Sequence, residues 1–211
     1  MATIMCCTAL HSQSTMIYDF HLDKFLLLIS QLDKLWRLSI PITIPDEFMQ
    51  NRARRIQNLD MSSSIIDMGW LPPLFYTATR CRIRGIRWRA VALIECLAHR
   101  EGIWDSKIIA RVARKVVEIE EGNFYNHADE AVHFVSGIMD IDIGVLEGLG
   151  PPVLPEENRL SDVEIVLEGA PWERILLLAK GKQEGGANKV LLSTYHTSLE
   201  RWTDRDMRTS S

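Results

Sequence analysis

A chain of 211 residues, 46% hydrophobic and 25% charged, is large enough to bury a substantial core and is not compositionally disordered. Its formal net charge of -4 argues against a surface built throughout for nucleic acid. The cysteines, Cys6, Cys7, Cys81 and Cys96, form no CxxC pair, so neither a zinc site nor a disulfide framework is signalled and a reducing compartment is expected.

The amino terminus, MATIMCCTALHSQST, lacks the basic start and apolar core of a secretory signal. The apolar run Phe25 to Ile29 falls well short of the roughly 20 residues needed to cross a bilayer, so an intracellular, soluble chain is expected. Met16 to Leu38 reads as a mostly buried helix, because Asp19, Asp23, Gln31, Lys34 and Arg37 recur at helical spacing with apolar residues between them. Pro41 and Pro45 break the chain, and Asp46 and Glu47 open a second, more polar helix that runs to about Leu59.

Gly69-Trp70-Leu71-Pro72-Pro73 has the form of a helix entrance, since proline is tolerated in the first turn, and Leu74 to Cys81 would be the helix that follows. Ile86, Ala90, Leu93, Ile94 and Leu97 then share one helical face, with Arg87 and Glu95 pointing away from it. In the segment HREGIWDSKIIARVARKVVEIEE, His99 to Gly102 makes a turn. Asp105 can cap the next helix, and Trp104 can staple onto Ile109. Ile108, Val112, Val116 and Ile119 form the expected buried stripe, and Gly122-Asn123 the stop. A further helix is read over His127 to Met139, and Leu149-Gly150-Pro151-Pro152 is a plausible boundary.

Beyond that boundary the period changes. Val163, Ile165 and Leu167 alternate with acidic residues, Gly169-Ala170-Pro171-Trp172 turns the chain, and Arg174 to Lys180 returns as a second strand. Gly181 to Asn188 is a loop, Val190 to Tyr195 could add a third strand, and the tail from Thr203 is expected to fray. The fold class that results is mainly α: a helical array with a small C-terminal antiparallel β-hairpin packed on it. It divides into a helical domain over 1–150, a hairpin extension of that domain over 151–202, and a flexible tail over 203–211.

Chemistry-bearing patterns are sparse. No GxSxG elbow and no HExxH occurs, and His127 and His133 are not spaced as a metal pair on one helical face. The loop Gly181 to Lys189 lacks the Gly-Lys-Ser/Thr ending of a phosphate loop. No catalytic, cofactor-binding or metal-ligating residue is therefore assigned. Asp105 is read as a cap and His99 as a turn residue. The arginine run Arg80, Arg82, Arg84, Arg87 and Arg89 could form an interaction or nuclear-import patch, although a solvated helix face is the simpler reading. The segment from Glu118 to Glu168 is acidic, with Arg159 as its one basic side chain, so charge is split between regions.

Taken in order, Trp70 to Phe75 (WLPPLF), Ala78 to Arg82 (ATRCR), Arg84 to Leu97 and His99 to Glu121 resemble the carboxy-terminal part of the fungal transcription factors that carry a zinc binuclear cluster. The strands NRLSDVEIVLEG and RILLLAKGK resemble that family's closing hairpin, and the likeness extends over Gly69 to Lys182. Family members read DNA through an amino-terminal cluster of six cysteines, and no cysteine spacing of that kind occurs here.

The resemblance therefore implies a regulatory, or effector, half acting in the nucleus, with the cytoplasm as the alternative. Its partners would be proteins, either transcription machinery or a DNA-binding factor, and no sequence-specific DNA binding by this chain alone is expected. A role in a secondary-metabolite pathway is implied in the same way, by a split or truncated factor or by a separate regulator. The alternative from another class is a small biosynthetic enzyme that uses His99, Asp105 or His133 as acid or base in a pocket among the helices.

Overall fold

The computed structural model describes residues 4, 15–39, 69–97, 100–102, 104–125, 153–160, 163–169, 172–180 and 189–204. It divides into two compact units, Met1–Asn158 and Arg159–Ser211. The helices expected over Asp46 to Leu59 and His127 to Met139, the boundary at Leu149 to Pro152 and the loop Gly181 to Asn188 lie outside the described residues.

The first unit is helical. A 3-10 turn, Thr15–His21, leads into α1, Leu22–Ser39, followed by α2, Leu71–Arg80, and α3, Arg84–Cys96. Two short strands, β1 (Arg100–Glu101) and β2 (Trp104–Asp105), pair antiparallel around Gly102, whose φ of 58° suits glycine at the turn. They deliver the chain to α4, Ser106–Glu121. The expected start of α4 is realised: Asp105 accepts from the backbone N–H of Lys107 at 3.0 Å and of Ile108 at 3.2 Å. Its stop is realised too, at Gly122 with φ 45°.

The core of this unit brings together Phe25, Ile29 and Trp36 of α1, Leu71, Leu74 and Ala78 of α2, Ile86, Ala90, Leu93 and Ile94 of α3, and Ile109, Ala113 and Val117 of α4. The face read from Ile86 to Leu97 is buried throughout. In α4 the buried register is Ile109, Val112, Ala113, Val116 and Val117, one position round from the stripe read through Ile108 and Ile119, both of which are only half-buried. Aromatic rings fix α1 and the 3-10 turn before it against α2, with Tyr18 of the turn edge-on to Tyr76 at 6.0 Å and Phe25 of α1 stacked on it at 6.4 Å. Trp104 lies edge-on to Phe75 at 5.6 Å, which joins β2 to α2.

The second unit is a four-stranded antiparallel sheet in the order β3 (Val163–Glu168), β4 (Arg174–Lys180), β5 (Lys189–His196), β6 (Arg201–Asp204). The expected hairpin is its first half. The turn after β3 closes through Trp172 N–H to Gly169 carbonyl at 2.9 Å, with both residues at positive φ. The third strand continues the sheet, and β6 corrects the reading of a tail frayed from Thr203, since Thr203 and Asp204 pair with Thr194 and Ser193. Ile175, Leu177, Ala179, Ser193 and Tyr195 are the buried residues of this sheet and share one face. The register shifts between Leu177 and Leu178, leaving Leu192 as the extra residue of a bulge, which explains why the alternation in β5 is not clean.

Candidate functional site

The charged residues of the expected patch are placed by the helices, and they do not make one solvated face. Arg87, expected to point away from the core, has no exposed surface, and neither does its partner Glu120 on α4. The Arg87 Nη2 donates to Glu120 and its Nε donates to the Ala78 carbonyl at 2.9 Å, so one side chain ties α3 to α4 and to the end of α2. Arg89 is nearly buried and pairs with Asp33 of α1. Arg82 is buried as well, pairing with Asp19 and donating to the Leu154 carbonyl through Nε at 2.8 Å and Nη2 at 2.6 Å.

Arg80 and Arg84 are half-buried. The Arg80 guanidinium lies 5.8 Å from the centre of the Tyr18 ring, and that of Arg84 lies 4.7 Å from Tyr125. Four of the five arginines, Arg82, Arg84, Arg87 and Arg89, are thus committed to carboxylates inside the helical unit, which corrects the reading of a solvated arginine face. The cause is register: Arg87 sits with Ala90, Val91 and Ile94 on the covered side of α3, while the 3-10 turn before α1 brings Asp19 to Arg82 and α1 itself brings Asp33 to Arg89.

Around Arg84 and Arg87 the chain assembles a second buried cluster. Glu121 accepts from Arg84 Nε at 3.2 Å and from the Trp88 indole at 3.1 Å, while its other oxygen stands 3.9 Å from Arg87 Nη1. Burial pushes the Glu121 carboxyl above its ordinary range, against the lowering effects of Trp88, Arg87 and Arg84. Burial, reinforced by the charge of Glu121, also pushes the Tyr125 hydroxyl up to about 12. Burial lowers Arg89 from the usual arginine value.

Glu101 does the work of a cap from a distance. Its buried carboxylate accepts from the backbone N–H of Trp70 at 2.8 Å and of Leu71 at 3.0 Å, satisfying the free donors at the start of α2 where no local side chain does so. The proline-rich entrance and the HREG turn are therefore two halves of one contact. Sequence reading missed Glu101, Glu120, Asp19 and Asp33 as partners. Glu120 carried one signal, since it continues the buried spacing Ile109, Ala113, Val116 or Val117 as an acid in an apolar register, which calls for a buried cation.

Of the acid–base candidates, Asp105 is engaged as a helix cap through one oxygen, while His99 and His133 lie outside the described residues, as does His127. Cys81, which is buried, and Cys96 are not joined in a disulfide. Among the described residues no three His, Cys, Asp or Glu side chains stand together as metal ligands, and no helix is long and apolar enough to cross a membrane. The arrangement of carboxylates and guanidinium groups pairs acids with donors, and what it does chemically is hold helices together.

Comparison with known proteins gives one informative similarity. Over 68 residues the chain is 40% identical to the aspercryptin biosynthesis cluster-specific transcription regulator atnN of Emericella nidulans. That relative is a transcription regulator. The match covers 29% of this chain and 11% of the relative, so the chain spans only a small part of the length of the protein it resembles. No family profile matches the chain, and no solved structure does. The similarity supports a transcription-factor-like relation.

Proposed function

We propose that this chain is a nuclear transcription regulatory protein, built like the effector half of a fungal zinc-cluster regulator, that acts through protein contacts on genes of a secondary-metabolite pathway. The observation that supports the reading most is the 40% identity to a cluster-specific regulator over a limited stretch. The internal geometry is consistent with it: Glu101, Arg87, Glu120 and Asp105, which a search for catalysis would have singled out, serve helix ends and helix pairs.

Direct DNA reading is left to a partner in this proposal. Arg82, Arg87 and Arg89 already hold carboxylates, and phosphate binding needs cationic groups that face the solvent. The test is to fuse the whole chain to a heterologous DNA-binding domain and measure transcription from a reporter bearing that domain's site in a fungal nucleus. A change in transcript relative to the DNA-binding domain alone is the expected result. An unchanged reporter with the fusion present in the nucleus would reject the regulatory reading, and tight, sequence-specific binding of a promoter duplex by the unfused chain would reject the need for a partner.

A further inference from the structure

The helix α1 and the 3-10 turn before it carry two opposite stripes. One, with Phe25, Ile29 and Trp36 at i, i+4 and i+11, is buried in the helical core. The other collects the exposed positions of the segment on a single line: Met16, Phe20, Asp23, Leu27, Gln31, Lys34 and Leu35, successive members mostly three or four residues apart. The large apolar members of that line are unusually open, with Phe20 81%, Leu27 57%, Leu35 48% and Met16 42% exposed. Scattered exposed apolar residues need no explanation, whereas a continuous helical row of them marks a contact surface.

We propose that this stripe is where a second copy of the chain docks, the two α1 helices packing antiparallel across a two-fold axis. The charges on the stripe decide the occupant and its direction. Asp23, one residue into α1, and Lys34, near the far end of the apolar line, lie on the same flank of it. A parallel pair would set Asp23 against Asp23 and Lys34 against Lys34. An antiparallel pair centred between Leu28 and Ile29, the midpoint of these two charges, sets Asp23 of each copy against Lys34 of the other, and the pair occurs twice because the interface is isologous.

The same centring seats the apolar residues. Leu27 lies beside the axis and packs against its own copy, and Phe20 comes level with the Leu35 end of the opposite helix. Asp23 is free to turn to this role, since its side chain is 75% exposed and its contact within the chain is a loose one of 3.6 Å with the adjacent Lys24.

The test uses the full-length chain and its D23K, K34E and L27D variants, with mass followed by light scattering and sedimentation over a concentration series. All the substituted side chains are exposed, and circular dichroism checks that each variant is folded. The unchanged chain is expected to be a dimer, and L27D a monomer. D23K and K34E should each be monomeric alone, because each sets like charges together twice. A mixture of D23K with K34E should return to dimer, because every facing pair then has opposite signs. A monomeric unchanged chain at its highest soluble concentration would overturn the proposal and leave the stripe to a partner of another sequence. So would a dimer that survives L27D, or a D23K and K34E mixture that stays monomeric.

Discussion

The helical unit and the sheet unit both carry ion pairs at the surface, Arg114 with Glu95 in the first being about as exposed as those of the second, but among the described residues the helical unit also buries several. In the helices, Arg87 and Glu120 have no exposed surface and Arg82 with Asp19 and Arg89 with Asp33 are largely covered. In the sheet, Arg174 with Glu168 and Lys189 with Glu164 sit with roughly half of each side chain in water. A sheet is held by its backbone ladder, so its side-chain charges can stay outside. Helices satisfy their own backbone hydrogen bonds, and nothing in that backbone specifies which helix lies beside which. The buried pairs here supply that specification: each joins residues on different elements, and each charge is tolerable in the interior only when its own partner is present.

Breaking the most buried pair should therefore have the largest effect. Arg87→Ala takes the guanidinium away from the buried Glu120, releases the Ala78 carbonyl and opens a cavity. The expected loss is about 3–5 kcal/mol of folding stability, the usual cost of removing one partner from a buried pair. Thermal and urea unfolding measure it. A loss below about 1 kcal/mol would mean that the guanidinium does not hold the helices in register.

How far this architecture was legible follows from the same contrast. Features written in local sequence were readable: the proline entrance to α2, the Asp105 cap, the Gly122 stop, the apolar face of α3 and the first two strands all rest on neighbours a few residues apart. Features that depend on which helix meets which were not. Arg87 has the composition of a surface residue and was assigned to the surface, because its reason for burial, Glu120, is far along the chain. Glu101 looked like a turn residue, and only the fold brings the start of α2 to it. The fourth strand escaped because Arg201 to Asp204 has almost no apolar residue to mark it, and it is defined by its ladder to β5. The reading of the arginine run as a solvated helix face failed for the same reason, since a run of arginines does not reveal how many acids the fold will bring to it.

Glu101→Gln tests the next level of the comparison, a buried charge that serves a helix end instead of another side chain. The substitution keeps the volume and removes the negative charge at the positive end of α2. It also places an amide NH2 where two backbone N–H groups expect an acceptor, or forces both onto one oxygen. About 2 kcal/mol of stability should be lost, the scale of a charge-assisted hydrogen bond. Hydrogen exchange should quicken first at the amides of Trp70 and Leu71. Uniform protection there would show that Glu101 is not the cap.

Glu121 sharpens the contrast within the helical unit, because burial outweighs its partners and raises its carboxyl above the ordinary value. A group with a raised folded value binds more protons folded than unfolded between the two values. Its contribution to stability is therefore full below the ordinary carboxyl range and declines as pH rises through the raised one. Glu121→Gln removes that titration. The variant should gain on the unchanged chain as pH rises through that window, and it should lose less at neutral pH than Arg87→Ala does. Denaturant midpoints taken across the acid range would show it, and a difference between the two proteins that does not vary with pH would contradict the raised value.

The smallest effect belongs to the sheet. Lys189 on β5 reaches Glu164 on β3 across the intervening strand, with 56% and 43% of the two side chains exposed. Water screens that attraction, and holding two long side chains in one geometry costs rotamer entropy, so such pairs contribute about 0.2–1 kcal/mol. Lys189→Ala should thus lower stability by no more than a few tenths of a kcal/mol, with an effect that fades as salt is raised. Salt should leave the cost of Arg87→Ala almost unchanged, because ions do not reach a pair with no exposed surface. If the two substitutions responded equally to salt, the distinction between charges that specify the helical packing and charges that decorate the sheet would fail.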